Sequence, residues 1–167
     1  MTLHELNILS LESLKEELFK CCGSATWVNK MVSFFPMDDL VEMLEDAEEQ
    51  WYGCSPKDWR EAFSHQVKIG DTDSLSMKFG AGAQSTAGEQ SAVNTSSREM
   101  IADLDAANEA YEIKFGYIFI VSAAGKTAEE MLSLLRQRLS NEPDVEINIA
   151  MDEQNKITLL RLQKLLT

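Results

Sequence analysis

Apolar residues recur at helical spacing through most of this chain, and the punctuation between them falls where helices start and stop. Ser10 is placed to cap a helix reaching about Lys20, with Leu11, Leu14 and Leu18 on one face and Gly23 as its stop. Ser24 opens a second, carrying Trp27, Val28 and Met31 and ending before Pro36. Asp38 or Asp39 starts a third through about Trp51, with Leu40, Met43, Leu44 and Ala47 inward. Ser55-Pro56 is a cap followed by proline at the first helical position. It predicts a fourth helix running to His65, with Trp59 and Phe63 four residues apart on its buried side.

The pattern lapses from Gly80 to Ser97, a small, polar, weakly periodic stretch that reads as a linker or loop. Helical spacing resumes near Ser97 and runs to about Lys114 through Met100, Ile101, Leu104, Ala107 and Tyr111. The aromatic and β-branched run Phe115 to Gly125 follows. A strand there would have no partners in a helical chain, so an extended, buried approach to the next helix is the better fit. Thr127 caps that helix to about Leu139, and a last one spans about Val145 to Leu166 with Leu159, Leu162 and Leu166. These elements predict an all-α bundle of about seven to nine helices. The 167 residues fit a single domain over 1–167.

Charge narrows the partners. The net charge of −13 and the scarcity of basic stripes argue against a nucleic-acid surface, and equally against an anionic membrane. No apolar run approaches a membrane span, and the first residues lack a signal peptide's basic start and apolar stretch. Cys21, Cys22 and Cys54 are an odd set with two adjacent, a poor disulfide framework that suggests a reducing, cytoplasmic setting. No cysteine pair has metal-ligand spacing and there are only two histidines, so no metal is expected.

Three motif fragments fail on inspection. Gly125-Lys126-Thr127 looks like the end of a phosphate-binding loop, but the required glycine five residues earlier is Ile120. Gly80-Ala81-Gly82 lacks the βαβ context of a dinucleotide fingerprint. Cys21-Cys22 has no local activator and reads as a pair of buried structural thiols. What remains is His65, Glu89 and Arg161. His65 stands where a helix breaks into a turn, and an imidazole can both give and take a proton, which suits a proton handler. The bland alternative is a structural histidine paired with Glu61, four residues earlier on the same helix. Arg161, in an apolar helical setting, reads either as an interhelical ion-pair partner or as a fork for a carboxylate or ureide.

Five blocks, in order along nearly the whole chain, sharpen this. They are Phe19-Lys20-Cys21-Cys22-Gly23-Ser24 with Trp27 and Met31; Glu61-Ala62-Phe63-Ser64-His65 with Ile69-Gly70-Asp71; and Thr86-Ala87-Gly88-Glu89-Gln90. The strongest is Tyr111 to Val121 continuing through Gly125-Lys126-Thr127-Ala128-Glu129-Glu130-Met131, and the last is Lys156-Ile157-Thr158 with Arg161-Leu162. Together they resemble the 2-oxo-4-hydroxy-4-carboxy-5-ureidoimidazoline (OHCU) decarboxylase family of uric acid breakdown. The resemblance implies a compact helical fold, often a homodimer. It implies a small-molecule ureidoimidazoline substrate, converted without a cofactor to (S)-allantoin and carbon dioxide. It implies His65 as catalytic histidine and Glu89 as its acidic companion. Substrate contacts would come from Gln66, Thr86, Gln90, Arg161 and the backbone of Ile120, Val121 and Ser122.

One departure bears on the chemistry. The family usually has proline directly after the histidine, and this chain has Gln66. Proline disfavours α geometry at the residue before it, so Gln66 leaves the aim of His65 less determined. A non-catalytic relative that binds a ureide or purine-like anion is the alternative reading. Ser122 also stands where many relatives have cysteine.

Overall fold

The computed structural model describes residues 1–67 and 98–167. Among these residues every regular element is a helix, as the periodicity predicts. There are eight: α1 (Leu3–Asn7), α2 (Leu11–Cys21), α3 (Ala25–Val32), α4 (Leu40–Tyr52), α5 (Pro56–Ser64), α6 (Arg98–Phe115), α7 (Ala128–Leu139) and α8 (Pro143–Leu165). The Gly80 to Ser97 loop expected from composition lies outside the described residues, and so do Thr86, Glu89 and Gln90. The chain divides into two compact units, residues 1–65 with 151–167 and residues 66–150.

The predicted caps form. The Ser10, Ser24, Asp39, Ser55 and Thr127 side chains each accept a backbone N–H from the first turn that follows. Each satisfies a donor that would otherwise be orphaned at the helix start, worth about 1 kcal/mol apiece. Ser55 adds a capping box with Asp58. Leu14 and Leu18 are buried as expected, but Leu11 is 61% exposed. It is the first residue of α2, where the helix has not yet turned its apolar stripe inward.

In the first unit the three tryptophans are buried and each gives its indole N–H to a carbonyl. Trp27 Nε1 donates to Ala47 O at 3.0 Å, Trp59 Nε1 to Trp51 O at 3.1 Å and Trp51 Nε1 to Met151 O at 2.9 Å. These bonds bring α3, α5 and the C-terminal half of α8 against α4. A buried indole contributes large apolar area only if its N–H is partnered, and here all three are. Asn7 closes α1 onto the α3–α4 loop, donating to Met37 O at 2.8 Å and accepting from Met37 N at 2.9 Å.

The second unit is built on an aromatic cluster. Tyr111 and Phe115 from α6 meet Tyr117 and Phe119, with Tyr111 centroids 4.6, 5.9 and 5.3 Å from Phe115, Tyr117 and Phe119. Tyr117 and Phe119 lie on the irregular, largely buried segment from Gly116 to Lys126, where the run of aromatic and β-branched residues predicts a buried approach to the next helix. Gly116 enters it at φ +84°, a left-handed conformation that glycine adopts without a Cβ penalty.

Candidate active site

His65 is the C-cap of α5, at φ −97° and ψ 2°, and its N–H closes on Ala62 O at 3.1 Å. A proline at position 66 would push this residue toward ψ values of about +120 to +160°. Gln66 therefore permits the near-helical backbone seen at His65. The side chain is exposed to solvent. It does not pair with Glu61: Glu61 Oε1 instead accepts from Ala25 N at 3.2 Å, tying α5 to the first residue of α3. The bland reading of His65 as the partner of Glu61 is thus not what the structure builds.

The imidazole is placed by packing. The Phe19 ring meets it edge-on, with centroids 4.9 Å apart and planes at 70°. Its Cβ, Cγ and Cδ2 lie directly over the Gly23 Cα, so close that a Cβ on residue 23 would stand 2.7 to 2.9 Å from them. Phe19 and Gly23 flank the C-terminal end of α2. Arg161, from the last turns of α8, reaches the same helix end. Its Nη1 lies 3.4 Å from Lys20 O and 3.5 Å from Cys21 O, carbonyls that the helix itself leaves unsatisfied. A cation also suits the negative end of a helix dipole. Arg161 is half-buried, and burial pulls its pKa below the usual arginine value. The structure therefore gathers two candidates, His65 and Arg161, around residues 19–23. Both of these Arg161 contacts are to backbone carbonyls.

Cys21 and Cys22 lie in the same turn and are both buried and free of disulfides. Burial pushes the Cys21 thiol up to about 11 and the Cys22 thiol up to about 12. At pH 8 the Cys21 thiolate fraction is then roughly one in a thousand, and a thiol rather than a thiolate is a poor nucleophile. We expect a neutral maleimide at pH 8 to leave both unmodified in the folded protein over hours and to label them within minutes in denaturant. Mass spectrometry of the intact chain reads the difference, and rapid labelling of native Cys21 would contradict this assignment.

Ile120, Val121 and Ser122, the backbone candidates, are buried in the second unit. Two cations hold this segment by alternate carbonyls. Arg138 Nη1 donates to Ile120 O at 2.7 Å, and Lys126 Nζ donates to Ser122 O at 2.8 Å. Arg138 is in turn fixed by Glu146, with Nε 2.8 and 3.0 Å from its two oxygens, and Tyr111 Oη donates to Glu146 Oε2 at 3.0 Å. The guanidinium carbon sits 4.4 Å from the Phe119 ring centroid. Neither Arg138 nor Glu146 stands out in the sequence: a basic residue in a last turn and an acidic one in a first turn both read as solvated helix ends. Their only signal is proximity to the strongest of the five blocks. Among the described residues no three of His, Cys, Asp and Glu gather as a metal site would require. No helix among them is long and apolar enough to cross a membrane.

The comparisons with known proteins agree with one another. The sequence profile described as OHCU decarboxylase matches residues 7–163. The uric acid degradation bifunctional protein TTL of Arabidopsis thaliana is 37% identical over 158 residues, which cover 94% of this chain and 48% of that protein. The chain thus spans about half the length of the curated relatives it matches, or less. Among solved structures, an OHCU decarboxylase crystallised in the presence of (S)-allantoin superposes with a TM-score of 0.76 at 36% identity, over 90% of this chain and 97% of that one. An (S)-allantoin synthase shares the fold, with a TM-score of 0.73 at 15% identity over 98% of this chain and 54% of that one. With a profile match across nearly its full length and the ordered blocks that surround His65 and Arg161, this chain belongs to the OHCU decarboxylase family.

Proposed function

We propose that this chain decarboxylates OHCU to (S)-allantoin and carbon dioxide in urate breakdown, without a cofactor. The observation that carries the reading is the convergence of His65 and Arg161 on the end of α2 in a member of this family. In the reaction, the bond from a ring carbon to its carboxylate breaks and its electron pair moves through the ring to the imine nitrogen, which takes up one proton from water, leaving a neutral enol. The enol hydroxyl then loses its proton and the neighbouring ring carbon gains one. His65, exposed and free of Glu61, is assigned the hydrogen bond to the hydroxyl and the proton transfer. Arg161 is assigned a carbonyl or carboxylate of the substrate, which its planar fork suits. Glu89 is proposed as the acidic companion of His65, and Gln66, Thr86 and Gln90 as substrate contacts together with the backbone of Ile120, Val121 and Ser122. A site that fixes which face of the enol is protonated would give a single enantiomer.

We further infer that residues 1–167 act as one functional domain, that the protein is a homodimer and that it works in the cytoplasm. Three buried free thiols support the last point. The test of the activity uses the purified chain and freshly generated OHCU, followed by ultraviolet absorbance and circular dichroism. The expected result is faster decay than in buffer, with optically active allantoin as product. Decay at the buffer rate, with racemic product and folded protein, would overturn the assignment.

A further inference from the structure

We propose that Gly23 and Phe19 are positioning residues that clamp the His65 imidazole, so that packing sets the aim that a following proline would otherwise help to set. The proposal rests on the role assigned to His65 above.

Gly23 looks in sequence like the left-handed glycine that ends a helix, but it does not serve that purpose. Only Gly116 and Gly125 have positive φ among the described residues, and the C-cap of α2 is Cys22, in extended backbone. The requirement for glycine at position 23 is space. A Cβ there would lie 2.7 Å from His65 Cβ, 2.8 Å from Cδ2 and 2.9 Å from Cγ. These atoms are the root of the side chain and the near part of a rigid ring, not a flexible tip, so the imidazole cannot step aside cheaply.

The platform beneath it is also fixed. Ser24 N bonds to Cys22 O at 2.9 Å around Gly23, and Ser24 is fully buried and caps α3. Ala25 N bonds to Glu61 one turn before His65. The added methyl must therefore be absorbed by the histidine, which is exposed and ends its helix. On its other contact the Phe19 ring edge limits how far the imidazole swings. An aromatic edge contact and a backbone with no Cβ together define one ring orientation at a position where backbone constraint is weak. A displacement of about 1 Å in a proton-transferring group can cost about 100-fold in rate.

The test compares Gly23→Ala and Phe19→Ala with the unsubstituted chain, each purified as the full protein. We expect Gly23→Ala to lower kcat about 100-fold with KM within about threefold. Phe19→Ala, at a ring already 37% exposed, is expected to lower kcat roughly tenfold while folding normally. In both variants the His65 Cε1–H signal, in NMR spectra recorded without substrate, should move from its original position. That signal is read whether or not the chain decarboxylates OHCU. An inactive parent protein whose His65 signal still shifts on substitution would refute the function and leave the clamp standing. An active parent whose two variants keep kcat within twofold, with unmoved His65 signals, would overturn the clamp. If Gly23→Ala fails to fold, Phe19→Ala decides alone by the same criteria.

Discussion

His65→Ala is expected to abolish most decarboxylation, lowering kcat by about 100- to 10,000-fold, the range that one general acid–base contributes. That is about 3 to 5 kcal/mol of transition-state stabilisation. The fold should survive, because almost nothing in it depends on the imidazole. The N–H that closes α5 is a backbone group and stays when the side chain is cut. The ring is exposed and, among the described residues, packs against Phe19 and the space above Gly23. Far-ultraviolet circular dichroism and the melting temperature should therefore stay close to those of the parent. His65→Asn makes the complementary point: it retains hydrogen bonding but cannot exchange a proton near neutrality, so it should be nearly as slow. Turnover near the parental rate in either variant would remove His65 from the mechanism and favour a protein that binds the ureide without transforming it.

The surroundings of His65 divide into features encoded locally in the sequence and features made only by the fold. Its helix was legible because Ser55, Pro56 and Asp58 announce a start and the Trp59–Phe63 pair marks a buried side, all within ten residues. The other caps were legible for the same local reason. The buried, irregular run after Phe115 was readable as a connection rather than a strand, because aromatic and β-branched residues with no partner strand cannot build a sheet. Legibility ended where contacts are long-range. Glu61 stands four residues from His65, which suggests a pair, yet its carboxylate is taken by Ala25, 36 residues away in sequence. Gly23 reads as a stop signal, and only the folded chain reveals that its missing Cβ makes room for His65. Residues 153–155 and 158 of α8 are polar and buried, so the apolar period that finds other helices fails there. Gln154 Nε2 donates to Thr158 and Asn155 Nδ2 to Glu48, bonds that hold buried polar side chains without leaving a hydrophobic stripe to read.

The buried pair in the second unit carries the other large expected effect. Arg138→Met or Glu146→Leu should each destabilise the protein by about 3–5 kcal/mol, because each leaves the remaining charge buried and uncompensated. The Glu146 side chain is 0% exposed and that of Arg138 is 9% exposed, so water cannot take the place of the missing partner. In Arg138→Met the stranded carboxylate retains Tyr111 and a long contact to Asn141 at 3.4 Å, both neutral donors. Arg138→Lys should fail to rescue, since a single ammonium cannot both fork onto Glu146 and hold Ile120 O in the Arg138 geometry. The double variant Arg138→Met with Glu146→Leu removes both charges, and apolar replacement of a buried pair is often close to neutral. It should recover most of the stability lost in either single variant. Urea unfolding of the parent, the Arg138→Met and Glu146→Leu single variants and the double variant measures this as a coupling free energy, and additive losses would show that the pair is not an energetic unit. The double variant also isolates a second role. Arg138 ties down the Ile120 carbonyl, and methionine offers no donor to replace that bond. If the backbone from Ile120 to Ser122 contacts substrate as proposed, a double variant restored in stability should still bind substrate more weakly, with a raised KM.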